Sequence, residues 1–431
     1  ENFNAIGSSK RIINKPNSGL EGSHMYHIGD YYYIYATYGG GYDHSQTIFR
    51  SKNPFGPYEE HDGLLFEKQD IHQGGLVQTQ TGEWWTILFK DAGTIGRIPY
   101  LEPVVWKDGW PILGNNGIDV SKGGKSYKKP NVGKEYPKTY LPTNDGFNTD
   151  KLGMQWEWNH NPDNSAWSLT ERPGFLRLYT SGIVKEGTDT KLNEFLQARN
   201  TLTQRMFGYD KEGASTSTDT YGTICLDVSH MKEGDVAGLC VFQDPHAYVA
   251  VKMIDGKKRV VYYRAPWWEP KADWQGVVDD AEHYRTFSTS TASHNDKIYL
   301  RAVANFKTNK LKFYISWDNQ KWYDVGKDIE TEMRYTLKIF TGNRFAIFNY
   351  ATQQNGGYVD VDWFSTEETV DENKFNDLTA IEQVESKTKR IVSRQFYNVS
   401  GVKLPIPQHG LNIVKTRYED GTEKTYSFVK Q

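Results

Sequence analysis

The sequence predicts an all-β protein, and three observations carry that expectation. Apolar residues recur with a period of two in short runs, and almost nowhere with the period of an amphipathic helix. The runs, about four to eight residues each, are separated by Gly, Asp, Asn and Pro turns. Aromatic residues, which favour strands, make up 14% of the 431 residues, as 13 Trp, 28 Tyr and 20 Phe.

Taken in chain order, the first strands are Tyr31-Tyr32-Tyr33-Ile34-Tyr35, Thr47-Ile48-Phe49-Arg50 and Trp84-Trp85-Thr86-Ile87-Leu88-Phe89. Turn chemistry flanks them, as in Ile28-Gly29-Asp30 and Thr81-Gly82-Glu83. Residues 1–115 hold two similar units. One runs from His24-Met25-Tyr26 through Tyr31–Ala36 to Gln46–Arg50; the next runs from Gly75-Leu76-Val77 through Trp84–Phe89 to Val104-Val105-Trp106. A spacing of about 45 to 50 residues with several strands per unit is the pattern of propeller blades. Two blades cannot close a ring, so this part reads as a partial β-propeller, its last blades.

Residues 116–143 are rich in Gly, Lys and Pro without periodicity and read as a linker. Residues 144–366 return to short strands, among them Leu176-Arg177-Leu178, Tyr248–Met253, Ile298–Val303 and Leu311–Ile315, at a spacing that suggests a β-sandwich or jelly roll. Within it, Asp360-Val361-Asp362-Trp363-Phe364 reads as a closing strand that buries its aromatics. Residues 367–388 are polar and charged and read as a second linker. Residues 389–431 read as a small unit of about four strands, including Arg394–Tyr397, Leu411–Lys415 and Thr425–Val429.

Composition narrows the function classes. The formal net charge is -3, so there is no basic field for nucleic acid or an anionic membrane. No apolar run reaches the length of a membrane span, and the mean hydropathy is -0.71. The aromatic content suits carbohydrate binding, because sugar C–H faces stack on flat rings, but it also suits any β protein. Cys225 and Cys240 are the only cysteines; both lie in strand-like runs and are expected to be buried small hydrophobes. The chain opens at Glu1 with neither an initiator Met nor a signal-peptide pattern, and reads as a cut piece. Gly22-Ser23-His24-Met25 looks like an expression-tag scar, yet the residues on both sides continue one strand pattern. There is no Gly-x-Ser-x-Gly elbow and no zinc-type Cys/His spacing, and Gly39-Gly40-Gly41 opens no helix that could cradle a phosphate.

Four blocks, in order over most of residues 19–114, carry a resemblance. They are Leu20-Glu21-Gly22-Ser23-His24-Met25-Tyr26 with Tyr31-Tyr32-Tyr33; Gly39–His44 with Arg50–Tyr58; His72-Gln73-Gly74-Gly75-Leu76-Val77 with Gly82-Glu83-Trp84-Trp85; and Gly96-Arg97 with Leu101–Val104 and Asp108-Gly109-Trp110-Pro111. Together they resemble glycoside hydrolase family 43, which contains β-xylosidases and α-L-arabinofuranosidases. Asp145-Gly146-Phe147, Gln155–Pro162, Trp167-Ser168-Leu169 and Ala198–Arg205 resemble the β-sandwich attached to many members. The tail, through Asn412–Thr416 and Glu419-Asp420-Gly421, is similar to C-terminal sorting modules on secreted proteins of Bacteroidetes-type bacteria.

The resemblance implies a five-bladed propeller followed by a concanavalin-like sandwich. It also implies an inverting glycosidase acting on xylan- or arabinoxylan-derived oligosaccharides, as a β-xylosidase or an α-L-arabinofuranosidase. Such hydrolysis needs one carboxyl to protonate the leaving oxygen and a second carboxylate to activate water. Glu21 matches the family's general acid. To give up a proton near neutral pH it must first hold one, through burial or a neighbouring carboxylate. The family's base and tuning Asp lie in earlier blades. Only 20 residues precede Glu21, and Asp43, Asp70 and Asp91 stand in no context like theirs, so the chain is expected to hold one of the three and to be nearly inactive alone.

His72 matches a family His at the substrate region or near a structural calcium. Arg97 matches an Arg whose planar fork reaches sugar hydroxyls. His24 and Tyr42 are expected to line the same pocket. Trp267-Trp268-Glu269-Pro270 and Trp274, in a polar insertion, are candidates for sugar stacking, against a reading as domain packing. No cofactor is required; calcium is admitted as a structural ion. The partner is a plant cell-wall oligosaccharide or polysaccharide, and the location secreted, periplasmic or cell-surface. The competing readings are a non-catalytic carbohydrate-binding sandwich and a structural β protein with a sorting tail.

Overall fold

The computed structural model describes residues 7–39, 45–63, 65, 71–114, 127–137, 139–184, 194–207, 219–265, 267–269, 277–279, 283–287, 296–327, 329, 331–335, 339, 341–376, 391–405, 407–408, 410–418, 421 and 423–430. It divides into two compact units, Glu1–Tyr140 with Arg334–Asn343, and Leu141–Met333 with Arg344–Gln431.

The first unit contains two four-stranded antiparallel sheets, β1 (Leu20–Ile28), β2 (Tyr31–Tyr38), β3 (Ser45–Ser51) and β4 (Glu59–Glu60), then β5 (Ile71–Gln78), β6 (Trp84–Asp91), β7 (Arg97–Lys107) and β8 (Trp110–Leu113). In each, spatial order equals chain order, which is the meander of a propeller blade. The apolar faces of the two sheets share one core, including Tyr35, Ile48, Ile71, Leu88 and Leu113. Its tyrosines bury their rings and bond their hydroxyls. Tyr33 donates to Gly109 O at 2.7 Å, Tyr26 accepts from the Leu76 N–H at 2.8 Å, and Tyr35 meets Thr86 Oγ1 at 3.1 Å. Each of these links one blade to the other.

The second unit is a sandwich of strands β9 (Trp156–Trp158), β10 (Trp167–Ser168), β11 (Leu176–Tyr179), β12 (Leu202–Arg205), β13 (Asp219–Asp227), β14 (Asp235–Phe242), β15 (Ala247–Ile254), β16 (Lys257–Arg264), β17 (Trp267–Glu269), β18 (Val277–Asp279), β19 (His283–Phe287), β20 (Lys297–Asn305), β21 (Lys310–Ser316), β22 (Tyr323–Asp324), β23 (Arg344–Ala351) and β24 (Tyr358–Ser365). Two seven-stranded sheets run β10-β11-β24-β13-β20-β21-β22 and β19-β16-β15-β14-β23-β12-β9, and β17-β18 form a separate ribbon. Alternation sends Gly222, Ile224 and Leu226 of β13 inward. A Cβ on Gly222 would meet Phe345 Cδ1 of the facing sheet at 2.6 Å, so the two sheets touch closely there. The closing strand buries Trp363 and Phe364 completely, as its sequence predicted. Cys225 and Cys240 sit in different sheets, both buried with free thiols, and burial pushes both thiols well up.

Part of the segment expected to be a second linker packs instead. Val370 and Phe375 are buried, and a short helix α1 (Asn373–Asn376) lays Phe375 on Trp363, ring centroids 5.2 Å apart and 8° from parallel. Two apolar anchors in a polar stretch were too sparse to read as an element, but Trp363 and Tyr299 on the outward face of their sheet need a cover. The tail forms β25 (Ile391–Asn398), β26 (Lys403–Leu404), β27 (Gly410–Tyr418) and β28 (Glu423–Lys430), paired in the order β26-β25-β27-β28.

Candidate active site

The two blades repeat one device at equivalent places 51 residues apart (positions 21 and 72). The lead strand β1 slips register between Glu21 and His24, and the lead strand β5 slips between His72 and Gly75. A bulge of this kind adds one residue to a strand and re-aims its neighbours. In each bulge the next residue takes the left-handed region, Gly22 at φ 60° and Gln73 at φ 50°. Gly22 does so without cost, and a Cβ there would stand 3.0 Å from Gln73 Cγ.

Gln73 must hold the same conformation with a side chain in place, which costs roughly 1–3 kcal/mol and persists only where the surroundings impose it. A buried relay does so. The Gln73 N–H donates to Thr37 Oγ1 at 2.8 Å, and the Gly74 N–H to Gln46 Oε1 at 3.2 Å. Thr37 Oγ1 donates to the same Gln46 oxygen at 3.0 Å, and Gln46 Nε2 donates to Ala36 O at 2.8 Å. Thr37 and Gln46 are cross-strand partners in β2 and β3, both fully buried.

The result is a fixed amide beside the expected acid. Gln73 Nε2 donates to Glu21 Oε1 at 2.8 Å. On its other side lies Gly39, whose missing Cβ would come 2.6 Å from Glu21 Oε1 and 3.1 Å from Gly19 O. The Gly39 N–H donates to Gly19 O at 3.0 Å, closing the entry of β1 onto the exit of β2. One carboxyl oxygen is therefore held while Oε2 has no partner among the described residues. That division suits a carboxyl that hands a proton outward. Glu21 is exposed, so neither burial nor, among the described residues, an adjoining carboxylate surrounds it.

The second blade supplies a rank of side chains on β5, β6 and β7. His72 is buried, its ring 4.7 Å from Phe89, its cross-strand partner. The Arg97 guanidinium lies 4.4 Å from the same phenyl ring, and Nε donates to Asp91 Oδ1 at 3.2 Å. Tyr335 donates to that oxygen at 3.1 Å, and burial, first, with the Asp91 charge raises its own pKa. The adjoining turn is held because Asn343 donates through both its N–H and Nδ2 to Thr94 O, each at 3.0 Å. Asp91 thus helps to orient Arg97.

His24 is exposed on β1 beyond the bulge, its ring 6.4 Å from Tyr26. Tyr42, Asp43, Asp70 and Trp274 lie outside the described residues. Trp267 and Trp268 pair with Val278 and Asp279 in the β17-β18 ribbon, and their side chains lie outside the described set. The His72 ring packs on a phenyl group, and among the described residues no three His, Cys, Asp or Glu side chains converge. Glu102 on β7 is buried opposite Thr86, and burial raises its pKa.

Sequence reasoning singled out Glu21, His72 and Arg97 but not Gln73, Thr37, Gln46 or Gly39. Gln73 and Gly39 stand inside the resembling blocks, and aligning the two repeats sets Gln73 opposite Gly22. That alignment was the available signal for a bulge residue.

The description "Glycosyl hydrolases family 43" matches residues 6–111, and "Beta xylosidase C-terminal Concanavalin A-like domain" matches residues 144–367. A beta-xylosidase of Formosa agariphila is 35% identical over 352 residues, 75% of this chain and 53% of that protein. A non-reducing end alpha-L-arabinofuranosidase of Bacteroides ovatus is 37% identical over 199 residues, 41% of this chain and 37% of that one. Among solved structures, a bifunctional GH43-CE protein of Bacteroides eggerthii is 31% identical with a TM-score of 0.63, covering 95% of this chain and 47% of that chain. The chain spans about half the length or less of these curated relatives.

Proposed function

Since the chain belongs to glycosyl hydrolase family 43, we propose that its first unit is part of the catalytic domain of an inverting glycosidase and that Glu21 is the general acid. The observation that supports this is the held carboxyl, with Oε1 on Gln73 Nε2 at 2.8 Å, a glycine on its other flank and Oε2 open. In the reaction Glu21 donates its proton to the glycosidic oxygen as the C–O bond breaks. A carboxylate on the opposite face of the sugar takes a proton from the attacking water. Arg97, paired with Asp91 and stacked on Phe89, is the cation this reading sets against sugar hydroxyls, while His72 backs the same phenyl ring.

The substrates of this reading are xylan- or arabinoxylan-derived oligosaccharides, cleaved as a β-xylosidase or α-L-arabinofuranosidase. The names of the similar proteins support that class, and the reading includes a secreted, periplasmic or cell-surface location. The general base is assigned to residues other than these 431. Asp43, Asp70 and Asp91 stand in no matching sequence context, and Asp91 is engaged with Arg97. The test compares the 431-residue chain with the protein made from its complete gene on xylobiose and an arabinose-substituted xylo-oligosaccharide. The complete protein turns over and the chain alone is at least about 100-fold slower; equal rates would place the base within the chain.

A further inference from the structure

The outward face of the β13-β20-β21 sheet is only half covered. The segment through Val370 and Phe375 lies over Cys225, Tyr299 and Trp363, and Trp322 packs at the border of that cluster. Beyond Trp322 the same face stays open among the described residues. Cross-strand register sets Asp219, Tyr221 and Thr223 of β13 against Asn305, Val303 and Arg301 of β20, and these against Lys310, Lys312 and Tyr314 of β21. A cavity of about 440 Å³ occupies this place.

Its floor is Arg301, an arginine only 8% exposed on the solvent side of a sheet. Nε donates to Thr223 Oγ1 at 2.9 Å, and the guanidinium lies 3.9 Å from the Trp322 ring. Among the described residues the two terminal amino groups have no hydrogen-bond acceptor, so the planar fork faces the cavity. Burial dominates its surroundings and lowers its pKa, although a guanidinium stays charged at any ordinary pH. Lys312 is exposed at the rim and Lys310 pairs loosely with Glu332 at 3.6 Å. Two carboxylates also line the cavity. Asp219 is engaged by Asn305 Nδ2 at 2.6 Å, and the exposed Glu368 bonds the Tyr221 hydroxyl, its charge reaching Arg301. Tyr221, Tyr314 and Trp322 give it flat aromatic walls.

We propose that this cleft binds an acidic oligosaccharide, with the carboxylate of a uronic acid residue on the Arg301 fork and a neighbouring sugar ring against the aromatic walls. A buried, pre-oriented guanidinium matches a carboxylate with two parallel N–H···O bonds. Trp322 and the tyrosines meet the C–H faces of the chain, and Lys310 and Lys312 add positive charge at the rim. The site belongs to the second unit, and its readout is binding, so it stands or falls independently of the hydrolysis assigned to Glu21.

Titration calorimetry of the chain with a xylo-oligosaccharide bearing one uronic acid, and with the neutral oligosaccharide of equal length, tests it. The acidic sugar binds at least about tenfold more tightly, and higher salt weakens it. Arg301→Lys, which keeps the charge and loses the fork, reduces binding about tenfold or more, and Lys312→Met on the exposed rim reduces it by a smaller factor without unfolding. Thermal unfolding checks that each variant is folded; if Arg301→Lys is not, Lys312→Met and Tyr314→Ala carry the decision. No binding of either sugar, equal binding of both, or acidic binding that survives the substitutions in folded variants overturns the assignment.

Discussion

His246 offers a perturbation whose size follows from its surroundings. The ring lies between β14 and β15, 1% exposed, with Phe195 at 4.6 Å, Tyr263 at 5.4 Å and Tyr248 at 6.2 Å. Among the described residues neither ring nitrogen has a hydrogen-bond partner. Burial alone drives its pKa from the ordinary value of 6.5 down to about 3. Between those values the unfolded chain binds the proton and the folded one does not, so stability falls as the pH falls through 6.5 toward 3. Linkage gives a loss of about 2 kcal/mol between pH 7 and pH 5 from this one residue. Asp235 works the other way: burial raises its carboxyl to about 6, so folding gains from its protonation as the pH falls from about 6 toward 3.8. The wild-type profile therefore mixes two opposed slopes, and a substitution has to separate them. His246→Phe keeps an aromatic ring in the cluster and removes the titration. Urea unfolding of the sandwich, followed by Trp fluorescence at pH 7 and pH 5, gives the difference between wild type and variant. That difference changes by about 2 kcal/mol in favour of the variant at pH 5. Profiles that run parallel would refute the buried neutral histidine.

Three further predictions concern the blades and the sheet cover. Gly39→Ala places a Cβ 2.6 Å from Glu21 Oε1, the far end of a flexible side chain, and 3.1 Å from Gly19 O, so the carboxyl moves while the backbone has to give by only a few tenths of an ångström. In the complete protein kcat on xylobiose falls about 100-fold with little change in thermal midpoint, since a misplacement near 1 Å is enough for that loss. Gln73→Glu sets a second carboxylate beside Glu21 and moves the alkaline limb of the kcat/KM profile to higher pH, as a like charge favours the protonated acid; an unmoved limb argues against the contact. Phe375→Ala uncovers Trp363, on which its ring is stacked, and costs about 3 kcal/mol in urea unfolding, whereas a true linker residue would cost nearly nothing.

Much of the architecture was legible because it rests on period and turns. The alternation in Tyr31–Tyr38 and the repeat at about 45 to 50 residues announce blades, and Cys225 and Cys240 read correctly as buried hydrophobes. The cover over Trp363 was not legible, since Val370 and Phe375 are isolated apolar residues in a charged stretch and only the sheet beneath explains them. At the site, Glu21 and Arg97 stand in recognisable blocks, but their orientation depends on residues with no chemical signature of their own. A threonine and a glutamine paired across β2 and β3 look like ordinary strand residues until their hydrogen bonds to a left-handed Gln73 are seen. Asp91, an unassigned carboxylate in the sequence, becomes intelligible only once the β6–β7 hairpin puts it beside Arg97.

The central claim is that Glu21 donates the proton to the leaving oxygen, and the most direct measurement is leaving-group dependence in the complete protein. Glu21→Gln is compared with wild type on xylobiose, on the matching arabinofuranoside, and on aryl glycosides whose acidic phenols depart with little help. The account predicts a loss of kcat/KM of about 10²–10⁴-fold on the sugar leaving groups and a much smaller loss on the aryl ones. An equal loss on both kinds of substrate, or none on either, would contradict it.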